Sequence, residues 1–515
     1  MRALPLREAT LAHHAARVAV PTYDRRTLTP SVVHISVGAF HRSHQAVYFD
    51  DLAQRRVSSD WGLVGVGLRR PGMRDALAGQ DGLYTLLERG VADRARVIGI
   101  ITRYLFAPEE GAAVVAALAD RRTRLVTLTV TGAGYAVDTA SGAFRPDDPG
   151  IAADLATPGC PGTAVGLLVA ALAWRRRTGA GPFTVLSCDN VPGNGRIARA
   201  ALVGYAGLRD PDLAEWIARE VAFPSSMVDR ITPHTTDADR SLLADRFGVE
   251  DRWPVVTEPF SQWVVEDDFC AGRPPLEAVG VHVVPDVAPY ALMKTRLLNA
   301  SHCALGHLGV VAGVGTTHAA MREPVFAETI RRMMDEEVAP LLPPVPGVDL
   351  AAYRASLLAR LANPSIGDPL TRLCRAGSAK VPAHVLASVR EARRAGRRHD
   401  LLTLAVAGFC RSLEGTDEHG SPLVVDEPMA PLLRPLARRA AADPAGLVSV
   451  REVFGDLGAD QGFVRDLGAA LRAIASRGVR GALADALART PEAATRRGGR
   501  RRRDAGRSVD AVGRA

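Results

Sequence analysis

The sequence predicts an α/β protein: a doubly wound N-terminal half built on a parallel sheet, then a mostly α-helical C-terminal half. Three observations predict it. Short apolar and β-branched runs alternate with helical stretches through the first half. Such runs are buried on both faces, as in a parallel sheet covered by helices. Near Pro285 the character changes, and an Ala/Leu/Arg-rich helical pattern continues to about residue 490. Finally, the first run ends in a glycine turn at the carboxyl end of a strand, where ligands bind in folds of this class.

Taken in order, Ser31 to Gly38 is an apolar strand entering that turn, and His41 to Arg56 is helical in pattern. Gly62 to Leu68, Leu125 to Thr131 and Phe183 to Cys188 are further strands. The expected domains are residues 1–285, residues 286–495 and a tail, 496–515. No internal repeat is present.

Length and composition fit this plan. A chain of 515 residues that is 47% hydrophobic and 23% charged should fold as two domains, with a third conceivable. No run of 18 apolar residues suggests a membrane span. The first twenty residues lack the apolar core of a signal peptide, so a cytoplasmic location is expected. The formal net charge of +8 is misleading, because eight arginines and two aspartates in the tail carry +6 of it. That tail is expected to be a disordered, solvated extension, with no specific nucleic-acid partner. The six cysteines, Cys160, Cys188, Cys270, Cys303, Cys374 and Cys410, form no CxxC pair. They read as reduced thiols, and no metal site is expected.

The strongest chemical signal is Lys294-Thr-Arg-Leu-Leu-Asn299-Ala-Ser-His302. It lies in a stretch that otherwise reads as a buried helix. At ~100° per residue, Asn299 lies ~140° and His302 ~80° round the axis from Lys294, so all three can face one wide sector. Burying a lysine costs free energy unless it is paired or neutral. A lysine, a carboxamide and an imidazole together can take a proton from an alcohol and hold the oxygen left behind. The bland alternative is a lysine that reaches out to water and a histidine satisfied in the core.

Other segments are weaker taken singly. The turn Val37-Gly38-Ala39-Phe40 is a degenerate dinucleotide fingerprint, with Ser36 where the first glycine normally stands. The second strand ends Leu68-Arg69-Arg70-Pro71, where an acid would suit the ribose 2′-hydroxyl of NAD. Arginine there suits a 2′-phosphate, although two solvated loop arginines would look the same. Asn190, in Ser187-Cys188-Asp189-Asn190-Val191-Pro192-Gly193-Asn194-Gly195, can donate to a developing alkoxide from the end of its strand, yet the segment also reads as an ordinary turn. Asp229 and Arg230 read as a solvated ion pair or as part of a site. Arg372 and Lys380 are cations able to bind sugar hydroxyls.

Together these segments resemble one family. GAFHRSHQAVYFDDLA (38–53), LVTLTVTGAGY (125–135), TVLSCDNVPGNG (184–195), MVDRITP (227–233), PYALMKTRLLNASH (289–302) and AGFCRSLEGTDEHGSPLVVDEPMA (407–430) are similar to the polyol-specific long-chain dehydrogenases and reductases. Within that family the likeness is greatest to members that oxidise D-mannitol at C2. The resemblance implies a Rossmann-like N-terminal domain, a helical C-terminal domain and metal-independent catalysis. NAD is the implied cofactor, with NADP as an alternative. It implies Lys294 as general base, Asn190 and Asn299 as donors to the reacting oxygen, and His302 orienting the substrate. Asp229, Arg372 and Lys380 would bind the polyol chain. Val37, Gly38, Ala39, Phe40 and Arg69 would contact the cofactor.

The implied reaction interconverts a hexitol such as D-mannitol and the ketose D-fructose, and the expected assembly is a monomer. A hexuronate reductase acting on fructuronate or altronate is the rival within the family. An inactive relative that binds nucleotide or nucleic acid is the rival outside its chemistry. Two departures bear on proton passage. Gly132 and Ala291 stand where the family often has glutamates.

Overall fold

The computed structural model describes residues 3–138, 141–157, 159–424 and 426–489. The tail at 496–515 lies outside the described residues. The chain divides into two compact units, Met1–Ala291 and Leu292–Ala515.

The first unit is built on five parallel strands: β1 (Val32–Ile35), β2 (Leu63–Gly67), β3 (Ile101–Phe106), β4 (Leu125–Leu128) and β5 (Thr184–Ser187). Their order across the sheet is β3-β2-β1-β4-β5, that of a doubly wound Rossmann-like sheet. β1, β2, β4 and β5 are buried along their whole length, as their unbroken apolar runs require. A second, three-stranded sheet joins β6 (Ser226–Asp229), β7 (Gln262–Glu266) and β8 (His282–Val284), with β7 antiparallel to β6 and parallel to β8.

The helical stretch expected over 41–56 is two helices, α1 (Ala39–Ser43) and α2 (Gln45–Gln54). His44 breaks them with φ −123° and ψ −88°. Its ring is tied to the Gln262 carbonyl at 2.9 Å and to the Gln45 amide at 3.0 Å, contacts that an uninterrupted helix does not provide for.

The second unit is helical. α3 (Ala300–Val311) packs on α4 (Leu370–Cys374) and α5 (Asp400–Ser412), and the long α6 (Gln461–Ala488) packs on α5. A Cβ on Gly309 would stand 2.3 Å from Leu370 Cδ1, so a larger residue there would have to displace the Leu370 side chain. All six cysteine thiols are free, four of them buried.

Candidate active site

In the first unit, a cavity of about 940 Å³ opens beside the carboxyl ends of β1, β2 and β4. Its size lies in the ~300–1,000 Å³ range of ligand clefts. Ser36, Val37, Gly38, Ala39, Arg69, Arg70, Val130 and Thr131 are among its lining residues. Ser36 has φ 74°, the left-handed conformation that explains why glycine is usual at this position. Its backbone is pinned by its own N–H, which donates to Val66 O at 2.8 Å. Its carbonyl accepts from Thr129 Oγ1 at 2.9 Å. Phe40, expected at the cofactor, is not part of this lining; its ring stacks on His44 with centroids 5.0 Å apart.

Beneath the same cavity Arg42 is wholly buried. Its Nη1 donates to Trp253 O at 2.5 Å, while Nε and Nη2 have no hydrogen-bond partner. A buried guanidinium with two idle donors needs an acceptor, and the phosphates of a dinucleotide are such acceptors. The residues present therefore fit a dinucleotide cofactor.

Asn190 follows β5 and is exposed. The adjacent Asp189 explains how that turn is held. Its carboxylate accepts from the backbone N–H of Val130 (3.1 Å) and Thr131 (2.8 Å) and from the Tyr135 hydroxyl (2.6 Å). Asn194 completes the clamp: its amide donates to Asp189 O and Ser226 O, and its Oδ1 accepts from Ser226 N. The end of β5, which precedes Asn190, is thereby fixed to β6, which ends in Asp229. Asp229 is buried, and Arg230 does not form the solvated ion pair that the bland reading expected. Arg230 is also buried, and donates to Ser43 O, Glu258 O and the Glu88 carboxylate.

The second unit carries the other residues. Lys294 and Asn299 are both buried, at 7% and 8% exposure, and His302 is half-buried. The helix that holds them is not a regular α-helix. It runs as an α-helix over Ala288–Lys294, widens to a π-helix over Thr295–Asn299 and resumes as α3. A π turn closes i to i+5, so residues five apart stand nearly one above the other. Lys294 and Asn299 have that spacing, and the wide turn brings them closer to one face than the ~140° of a straight α-helix allows. Arg296, inside the turn, points elsewhere and donates to Ser388 Oγ at 2.7 Å.

A second π segment, Pro382–Leu386, packs against the first and carries His384. Its Nδ1 lies 3.5 Å from Cys303 Sγ. Burial, with Lys294, Lys380 and His302 acting in the same direction, holds this imidazole down to about 3, so it is neutral at physiological pH. Lys294, His302, Lys380 and His384 therefore share one neighbourhood. His384 was missed in the sequence. The available signal was its place four residues after Lys380, on one helical face.

Lys380 is half-buried, and burial lowers its pKa, with Arg372 and Arg375 acting in the same direction. Arg372 is bound through Nε and Nη2 to both oxygens of Asp368, so its charge is compensated. The segment between them is clamped by Glu427, which accepts from Ser378 N (2.9 Å) and Ser378 Oγ (2.5 Å). Among the described residues, no three His, Cys, Asp or Glu side chains gather as a metal site needs. No described helix is long and apolar enough to cross a membrane.

Comparison with known proteins agrees with this architecture. The family model for the mannitol dehydrogenase Rossmann domain matches residues 30–278, and that for the mannitol dehydrogenase C-terminal domain matches residues 286–475. Mannitol 2-dehydrogenase of Phaeosphaeria nodorum is 46% identical over 474 residues, 91% of this chain and 83% of that protein. Mannitol dehydrogenase 2 of Saccharomyces cerevisiae is 43% identical over 491 residues, covering 94% and 98%. The solved ternary complex of Pseudomonas fluorescens mannitol 2-dehydrogenase with NAD and D-mannitol is 40% identical, with a TM-score of 0.88 over 95% of this chain and 100% of that one. A D-sorbitol dehydrogenase in substrate-free form is 34% identical, with a TM-score of 0.85 over 93% and 100%. With both halves of the chain matched and the parallel sheet, clamped Asn190 turn and Lys294 helix in place, the chain belongs to the mannitol dehydrogenase family.

Proposed function

We propose that the protein is a metal-independent, NAD-dependent oxidoreductase that interconverts D-mannitol and D-fructose, with Lys294 as its general base. One observation carries the reading: an enclosed lysine and an enclosed carboxamide, five residues apart, share a π turn. The relatives that act on mannitol, and the Pseudomonas fluorescens complex with NAD and D-mannitol, support the substrate and the cofactor. NAD, when bound, would supply the acceptor for a hydride from C2.

The chain's own residues do the rest. The Lys294 amine takes the proton of the C2 hydroxyl. Its enclosure withholds the solvation that favours an ammonium, which suits a base. The Asn190 and Asn299 amides donate to the oxygen as it loses its proton. His302 orients the hydroxyl. Asp229 and Lys380 hold the outer hydroxyls, and Arg372 supports Lys380 from its pairing with Asp368. Gly132 and Ala291 leave no glutamate at those positions to pass the proton on, so it must leave Lys294 by another route.

A hexuronate would want an uncompensated cation for its carboxylate. Arg372 is paired with Asp368, so its guanidinium is not free to take the carboxylate of a hexuronate. The reading includes action as a cytoplasmic monomer without a specific nucleic-acid partner, which light scattering of the purified full chain would check. The deciding assay offers D-mannitol, other hexitols and pentitols, and D-fructose and fructuronate in reverse, with product identification. Mannitol and fructose should be the best pair. Efficient reduction of fructuronate with mannitol left untouched would overturn the assignment.

A further inference from the structure

The cofactor cleft carries no carboxylate where an NAD-specific one would be expected. β2 ends at Gly67, and Leu68, Arg69 and Arg70 follow in the cavity wall. Asp148 is the one carboxylate among the lining residues, and its Oδ1 is spent on the backbone N–H of Gly150 (3.0 Å) and Ile151 (3.5 Å). An acid at the second strand end accepts from the ribose 2′-hydroxyl and repels a phosphate there. Neither effect is available at this strand end.

What stands there instead is positive and unspent. Arg69 and Arg70 are exposed, and neither side chain forms a hydrogen bond or ion pair with any described residue. Their neighbours are compensated, by contrast. Arg74, four residues on, is held by Asp75 at 2.8 Å and Glu109 at 2.6 Å. Two free guanidinium groups on one loop can donate bidentately to a phosphate, and neither needs to break an existing pair first. Trp253, 40% exposed, also lines the cavity, a flat apolar wall suited to an adenine ring.

We propose that Arg69 and Arg70 form a 2′-phosphate subsite, so that the enzyme takes NADP as well as NAD. The inference rests on the dinucleotide cleft of the proposed function and deepens it by naming which nicotinamide cofactors that cleft admits.

The test reads binding before activity. Calorimetric titration of the full chain with adenosine 2′,5′-bisphosphate and with 5′-AMP should show the bisphosphate binding at least tenfold more tightly, with an advantage that shrinks as salt rises. In the Arg69→Ala/Arg70→Ala double variant that advantage should fall at least tenfold. The ratio of kcat/KM for NADP to that for NAD should fall with it. Single Arg69→Ala and Arg70→Ala variants repeat the measurement if the double variant does not fold. A wild-type protein that binds the bisphosphate no more tightly than 5′-AMP, or variants that keep the advantage, would overturn the subsite. Failure of mannitol turnover with either cofactor would overturn the substrate assignment and leave the binding result to stand or fall by itself.

Discussion

Lys294 and Asn299 were visible in the sequence as polar residues in an apolar helix, but their mutual geometry was not. Helical periodicity assumes 3.6 residues per turn, and nothing in Thr295 to Leu298 announces a wider one. The π turn makes the spacing of five meaningful, and such turns concentrate at functional sites. In the proposed mechanism Asn190 and Asn299 stabilise the same developing oxygen charge. Each change to alanine should therefore cost on the order of 10²-fold in kcat, with smaller effects on KM. Steady-state rates on mannitol check this, and losses under tenfold in both would remove the role. Arg372 shows the opposite limit of sequence reading. Its charge looked available, but its partner Asp368 lies only four residues away and cancels it.

At the level of elements, the turn after β5 was read for Asn190 alone, and its neighbours prove to be its scaffold. Asp189 gathers two backbone amides and a tyrosine hydroxyl, and Asn194 ties the turn to β6. Sequence could suggest a turn from Pro192-Gly193 and Asn194-Gly195. It could not show that a Cβ on Gly195 would come within 2.3 Å of Phe223 O and 2.8 Å of Ser225 N. Gly195→Ala must therefore move backbone against backbone. It should cost about 1–3 kcal/mol, the usual range for overpacking, and should lower kcat by loosening Asn190. Denaturant unfolding and turnover measured together check this. A variant of wild-type stability and rate would show that the close approach is relaxed at no cost.

Across the whole molecule, the parallel strands were legible because full burial imposes an unbroken apolar run. The helical second half was legible because its periodicity is sustained. Long-range partners were not, and buried histidines illustrate the gap. His34 is bonded to Thr127 and Thr129 at 2.7 and 2.9 Å, and His307 to Ser412 at 2.9 Å. Burial lowers both rings to about 3, whereas an unfolded histidine titrates near ~6.5. The folded value lies below the unfolded one, so the unfolded chain takes up the proton first. Stability is thus complete above ~6.5 and is lost as pH falls toward ~3, each ring costing about 1.4 kcal/mol per pH unit. The denaturant midpoint should fall steeply from about pH 6.5 to about pH 5. An unchanged midpoint over that interval would contradict the burial of neutral rings.

In the proposed mechanism the Lys294 amine removes the proton from the mannitol C2 hydroxyl. The most direct measurement compares NAD-linked oxidation of D-mannitol by the wild-type chain and by Lys294→Ala, with cofactor binding titrated in both. The variant should lose most of its kcat, at least a hundredfold, while its affinity for the cofactor stays within a few-fold. A variant that binds cofactor and still oxidises mannitol at a near wild-type rate would contradict it.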